Sequence, residues 1–533
     1  MEEKESLEEK SNNELEEMNM DSPKDSSKGT EVKEKSATKN YMYNMIYQVV
    51  ALIVPLVVTP YISRVLGSNG VGEYSFTYSI ISYFVLFGTF GFGYYAQREI
   101  ARYQNDKHMQ SRVFWEILLC RMFTVVLALI VNNVLIFTGL YGEYKLLMII
   151  FNINIVATMI DIAYLYQGNE EFRTIAIINV LVKILGIAAI FIFVKDEDDV
   201  WIYTLCNCGI LLGSNLCMWF LAHRMLVKVK FKELNVFKHF IPSLRLFIPT
   251  IAVSVYTMLD RTLIGLLVDG ETTKILADGT EKIVKNSDIQ NGYYEQSEKI
   301  VKMALTVLTS LGTVMVPKNS YYFKAKNYER VKENIFNAIN FVLFLGVPIM
   351  FGLMATAQNF SPWFFGDGYD DVPLLIMIFS PLILAIGLNN VFGNQYLLPA
   401  GKDNIYTFSV LFGAIINLIL NLILIRFYGA VGAAIASVIA ETMILLFQMV
   451  YLRRVFNYKG MLIPFIKYVL VGSIMFVSVF LLGKYVFDSS IINSFILVGI
   501  GAFIYFIILL LIKDKMIFRM FNGVFVILKR SKK

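Results

Sequence analysis

The sequence predicts an all-α polytopic membrane protein of about fourteen transmembrane helices, two parallel six-helix repeats followed by two further helices. Three observations carry that prediction. The first is composition: of 533 residues, 56% are hydrophobic and only 17% charged, with a mean hydropathy of +0.58, an apolar surplus that a water-soluble core does not need. The second is spacing, since from Tyr41 onward apolar blocks of about 20 residues follow one another, each long enough to cross roughly 30 Å of hydrocarbon at about 1.5 Å per residue. The third is an alternation of basic and acidic loops along the chain, joined to an internal likeness between its two halves.

Taken in order, residues 1–40 are rich in Glu, Lys, Ser and Asn and hold almost nothing to bury, so a disordered tail is expected. It has neither the basic start nor the apolar core of a signal peptide. Spans are expected at 41–60, 74–97, 113–137, 144–166, 174–194 and 200–222, forming a first six-helix bundle over 41–222. A linker at 223–242 leads to a second bundle, 243–453, with spans at 243–268, 299–317, 335–357, 372–392, 405–427 and 429–453. Two extra spans, 461–486 and 491–512, lie within 454–512, and a basic segment, 513–533, ends the chain.

Orientation follows from the bias of Lys and Arg toward cytoplasmic loops. With the N-terminus inside, the inner loops and the span ends beside them carry 20 Lys and Arg residues, from Arg98 to Lys459, and the outer loops and span ends carry 8, from Arg64 to Lys484. Several outer loops are acidic, as in KDEDD at 195–199 and GDGYDD at 366–371. An even number of spans returns the C-terminus to the same side, so both termini are expected in the cytoplasm.

Two stretches resemble each other. SRVLGSNGVGEYSFTYSI (63–80) follows the first span, and DRTLIG (260–265) with NGYYEQSEKI (291–300) follows the seventh, so that Gly72, Tyr74 and Ile80 line up with Gly292, Tyr294 and Ile300. Six spans separate the copies, which implies a parallel repeat about an axis along the membrane normal. The opening spans of both halves contain proline, Pro55 and Pro60 in one and Pro249 in the other, and interrupted helices at matching positions point to a transport pathway.

The segment NMIYQVVALIVPLVVTPYISRVLGSNGVGEYSFTYSIISYF (44–84) resembles the opening of bacterial polysaccharide flippases, the Wzx-type O-antigen and exopolysaccharide branch of the superfamily that also holds MATE exporters and lipid II flippases. MLDRTLIG (258–265), QYLLPAGKDN (395–404) and INLILNLILIRFYGAVGAAIASVIAE (416–441) agree with it. The resemblance covers nearly all of the chain after the tail. It implies a multi-pass protein of the bacterial cytoplasmic membrane that moves an isoprenoid-pyrophosphate-linked oligosaccharide by alternating access, for cell-surface polysaccharide synthesis. It further implies a non-enzymatic role without cofactors, with membrane lipids and polysaccharide polymerase or assembly proteins as partners and no nucleic acid. The long charged connection 271–290 departs from the family pattern.

Pyrophosphate must cross a layer in which charge is expensive, so ionisable residues inside the spans are the candidates. The expected cationic lumen comprises Arg64, Arg121, Lys183, Arg261, Lys299 and Lys302, and the expected counter-charges or coupling-ion ligands are Asp161, Asp260 and Glu441. Arg64, Arg261, Lys299 and Lys302 are read as lying near the outer ends of their spans, with Lys183 near mid-depth and Arg121 about 12 Å from the inner edge. Arginine suits phosphate through its bidentate fork. A second reading stands beside this for Arg64, Lys299 and Lys302, which could snorkel to headgroups, and Arg112 with Glu116 reads as a structural pair four residues apart.

Other signals are negative. Cys120, Cys206, Cys208 and Cys217 lie in spans without metal-site spacing, and His108, His223 and His239 form no ligand motif, so no metal is expected. GTFGFG (88–93) lacks the strand before a nucleotide loop and reads as close packing or a kink. The competing functions are a MATE-like exporter of organic cations, which calls for an acidic cavity, a membrane polysaccharide polymerase or ligase, which calls for a large outer loop, and a scaffold for polysaccharide assembly.

Overall fold

A computed structural model describes residues 37–275 and 281–518. Most of the expected tail and of the basic C-terminal segment therefore falls outside the described residues, and the account below concerns the unit Tyr43–Lys533. The chain is helical almost throughout. In order, the helices are α1 (Ala37–Thr89), α2 (Phe92–Arg102), α3 (Lys107–Phe137), α4 (Lys145–Met159), α5 (Ala163–Gly168), α6 (Phe172–Phe193), α7 (Val200–Ala222) and α8 (Phe240–Leu267). Strands β1 (Glu271–Ile275) and β2 (Glu281–Lys285) precede α9 (Asn286–Lys324), α10 (Tyr328–Phe365), α11 (Val372–Phe379) and α12 (Leu382–Asn389). A π-helical turn at Asn390–Leu397 leads to α13 (Asp403–Leu452), α14 (Tyr458–Tyr485) and α15 (Ile491–Leu511).

Eleven described stretches are long and apolar enough to cross a membrane, and two of them, Ile53–Arg102 and Asp403–Leu452, run to 50 residues. A straight helix of that length would reach about 75 Å, more than twice the hydrocarbon thickness, so both must turn back. They do so at glycines in the left-handed region, Gly67 (φ 67°) in α1 and Gly429 (φ 53°) in α13. Beyond the second turn the two arms of α13 lie against each other: a Cβ on Gly413 would meet the Ile444 side chain at 2.3 Å, and one on Gly432 the Leu424 carbonyl at 2.3 Å. Counting each arm, and joining α1 to α2, α4 to α5 and α11 to α12 as single rods, gives fourteen rods among the described residues, matching the predicted number.

Capping places several boundaries. The Asp106 carboxylate accepts from the backbone N–H groups of His108 and Met109 at 3.1 and 3.0 Å and so starts α3, while Asn327 and Ser490 start α10 and α15 in the same way. The GTFGFG segment is a break: the helix stops at Thr89, Phe90 and Gly91 take positive φ, and Gly91 packs on Phe247.

Two boundaries depart from expectation. The long charged connection at 271–290 contains an antiparallel strand pair in which Glu271 pairs with Lys285 and Lys274 with Lys282. The eighth span, expected to begin at 299, begins as α9 at Asn286. The reason is that the stretch is amphipathic rather than apolar: Glu295, Glu298, Lys299 and Lys302 fall on one face by i, i+3, i+4 and i+7 spacing, so hydropathy alone does not register the helix.

Buried apolar residues separate by sequence. One core draws on residues 263–517, and two smaller ones draw on 62–208 and 92–222. We call the sequences on either side of the 223–242 connection the two halves. Their meeting point is built from the repeat itself. A Cβ on Gly72 would lie 1.6 Å from the Asp288 carbonyl oxygen, and one on Gly292 would lie 2.0 Å from that of Ser68. Both pairings are the same contact displaced by 220 residues, the reciprocity expected where two related helices cross on a twofold axis.

Candidate functional site

The charged residues that the halves place at this crossing come from α8 and α9. Arg261 projects from α8, and its Nε donates to Glu295 at 2.7 Å while Nη2 donates to Glu298. Lys299 approaches Glu295 at 3.5 Å and Lys302 approaches Glu298 at 2.8 Å, each one helical turn further along α9. Ser75 of the first half donates to Glu295 at 3.2 Å. The cluster thus holds three cations and two carboxylates, one positive charge in excess.

Lys299 lies thirteen residues into α9, about 20 Å along the helix, and Arg261 lies six residues before the end of α8, so the lysines fall within a helix that begins earlier than the expected span. The two carboxylates were missed because their segment was taken for loop. The stripe of alternating acid and base on one helical face was the available signal.

A second group lies beside the first. Asp260 is 5% exposed and accepts hydrogen bonds from the Tyr294 hydroxyl, the Ser437 hydroxyl and the Asn421 amide. Arg261, though adjacent in sequence, has wholly separate partners, as neighbours about 100° apart on a helix must. Glu441 accepts from the Asn389 amide at 2.7 Å and from the Tyr256 hydroxyl at 3.3 Å. Asp260, Glu298, Lys302 and Glu441 all line one cavity of about 380 Å³, closed on its apolar side by residues such as Leu382 and Ile386. Hydroxyl and amide donors from α9 and both arms of α13 thus satisfy the Asp260 carboxylate without an ion pair.

The remaining sequence candidates lie elsewhere. Arg121 is 2% exposed, donates to the Thr158 carbonyl and approaches Asp161 at 3.9 Å. These two candidates, assigned to different roles, approach each other where Arg121 of α3 meets the break between α4 and α5 that holds Asp161. Lys183 is partly exposed on α6 and has no ion pair among the described residues. Arg64 is exposed, donates to the Trp363 carbonyl and packs on Gly366, joining the halves outside the cavity. The structure therefore brings together Arg261, Lys299, Lys302, Asp260 and Glu441, and leaves Arg64, Arg121, Lys183 and Asp161 apart from them.

At the far end of the molecule Glu116 is fully buried. It receives Arg112 at 2.9 Å, Lys238 at 2.6 Å, the Asn235 N–H at 2.8 Å and His239 Nε2 at 3.0 Å, and His239 Nδ1 meets the Tyr95 hydroxyl at 2.7 Å. The expected Arg112–Glu116 pair is thus the centre of an anchor that fixes the inter-half linker to α2 and α3. Burial pushes the His239 imidazole below its usual range.

Comparison with known proteins agrees with this architecture. A family model described as polysaccharide biosynthesis protein matches residues 37–323, and a second model with the same description matches 282–374. A relative in Escherichia coli K12, assigned as an O-antigen transporter, is 22% identical over 424 residues, covering 79% of this chain and 97% of the relative. The lipid II flippase MurJ of Bacillus subtilis is 24% identical over 166 residues, 30% of either chain. Among solved structures, lipid II flippase MurJ in an inward closed conformation superposes with a TM-score of 0.70 at 16% identity, covering 90% of this chain and all of that one. An inward-facing MATE family transporter of the MOP superfamily gives 0.58 at 13% identity, over 78% of this chain and 97% of the other.

Proposed function

Because the chain belongs to the polysaccharide biosynthesis protein family, we propose that it is a flippase carrying an isoprenoid-pyrophosphate-linked oligosaccharide from the cytoplasmic to the outer leaflet of a bacterial membrane by alternating access. The observation that carries this reading is the cluster of Arg261, Lys299 and Lys302, three cations on α8 and α9 paired directly with two carboxylates. Glu295 and Glu298 keep the cations solvated by protein between substrates, and a pyrophosphate, with more charge and more acceptor oxygens than either carboxylate, competes for the same N–H donors. Arg261 offers the fork and the lysines offer mobile point charges. Asp260 and Glu441 serve as counter-charge or coupling-ion ligands. The termini and the linker lie in the cytoplasm and the hairpin outside, as the loop charges require.

The cavity itself favours a second reading. Asp260, Glu298 and Glu441 face it with Lys302 as the cation among its lining residues, an acidic wall suited to an exporter of organic cations. Deleting the gene separates the two. A flippase predicts lipid-linked oligosaccharide accumulating on the cytoplasmic leaflet and loss of surface glycan. Normal glycan together with new sensitivity to cationic drugs would replace the flippase reading with the exporter.

A further inference from the structure

The hairpin that interrupts the family pattern reaches across to the other half. Lys274 on β1 binds the Glu197 carboxylate at 2.9 Å to both oxygens and lies 3.3 Å from the Asn69 side-chain oxygen. Lys282 on β2 pairs with Asp198, and Lys285 at the end of β2 pairs with Glu143 while lying 4.7 Å above the Tyr144 ring. Beside them the Tyr144 hydroxyl donates to Asp288 at 3.1 Å. The acids that receive the lysines, Glu197, Asp198 and Glu143, belong to the first half, and all three lysines belong to the second.

The strand register explains why the contact is more than incidental. Lys274 and Lys282 sit directly opposite each other in the ladder, a like-charge pair that weakens an isolated hairpin. The neighbouring acids Glu197 and Asp198 neutralise one lysine each. The folded hairpin therefore depends on the first half's acidic loop, and separating the halves leaves two facing ammonium groups unpaired. The direct hydrogen bonds and ion pairs described between the halves cluster toward this side of the molecule, from Arg64–Trp363 and Ser63–Gln296 to Ser79–Thr262.

We propose that the paired strands β1 and β2, through Lys274, Lys282 and Lys285, are an ion-pair latch on the outer face, engaged while that face is closed and released whenever it opens. It rests on the alternating-access reading and on the hairpin lying outside. Each pair is partly exposed and modest alone. Together they set how often the outer face opens, and they weaken as external salt rises because the Debye length falls to about 3 Å at 1 M.

The test uses the full-length chain in cells with a reporter, Thr306→Cys, on the cavity wall, and an impermeant thiol reagent added outside; labelling of the parent chain is the background. Lys274→Glu with Lys282→Glu should speed labelling roughly fivefold or more, and adding Glu197→Lys with Asp198→Lys should return it toward the reporter alone. High external salt should speed labelling of the reporter chain but slow that of the double lysine reversal, where it screens the repulsion between the new glutamates and Glu197 and Asp198. Equal labelling of all variants at equal membrane abundance, or no recovery on charge exchange, overturns the latch. Labelling needs no substrate, so a failed export assay with an intact labelling pattern rejects the flippase reading and leaves the latch standing.

Discussion

Arg261 commits Nε and Nη2 to carboxylates and Nη1 to the Thr257 carbonyl, so removing it does two things at once: it takes away the proposed phosphate ligand and leaves each acid with a single lysine. Breaking a buried pair by deleting one member costs about 3–5 kcal/mol, and Arg261→Ala should therefore lower both export and the amount of folded protein in the membrane. Combining it with Glu295→Gln restores the parent's single excess positive charge, and abundance should recover while export stays lost. Recovery of export in the double variant would show that Arg261 only neutralises the acids. Arg261→Lys should keep part of the activity, since charge returns without the fork. At the linker, His239 provides a pH test. Its folded-state proton affinity is lowered by burial, so the unfolded chain binds the proton more readily, beginning near the usual value of about 6.5. Stability is therefore full above that pH and falls as pH drops through the lowered value. Thermal unfolding in detergent from pH 8 to 5 should show this decline, and His239→Gln should flatten it.

Helix α9 and the second arm of α1 meet through two glycines, and the distances leave no room for a methyl group. Gly72→Ala and Gly292→Ala should each cost at least about 2 kcal/mol or force the helices apart, seen as loss of folded protein or as faster outside labelling of the cavity. Gly93→Ala, where a Cβ meets nothing within 4 Å, should leave both unchanged. A Gly72→Ala protein with normal abundance and labelling would mean that the crossing is not a close contact. These same glycines were legible in the sequence, because a repeat displaced by 220 residues preserved the residue that the crossing requires. The carboxylates Glu295 and Glu298 were not, because apolar runs mark helices only where they face lipid or core, and α9 turns a charged face to the cavity over that stretch. The partners of Asp260, drawn from Tyr294, Asn421 and Ser437, depend on the folding back of α13 at Gly429 and have no signal in local spacing.

At the scale of the whole chain, the rod count was readable because each crossing needs its own apolar block, whereas sidedness rests on loop charge. A cysteine at Thr273 on the hairpin should react with an impermeant thiol reagent outside intact cells, and one at Lys232 in the linker should react only after permeabilisation; the opposite pattern would invert the orientation. The linker also has a mechanical consequence. Glu116 clamps it through Lys238, His239 and Asn235, so the only covalent tie between the halves is rigidly attached to the first of them up to the residue where α8 begins. Any rotation of one half against the other must then be absorbed within α8 itself rather than in slack chain. Asp260 and Arg261 ride on that same helix, some 20 residues beyond the clamp, about 30 Å along its axis. The clamp is a fulcrum, so a change in α8 relative to His239 displaces Asp260 and Arg261, the two side chains given a role in the proposed transport.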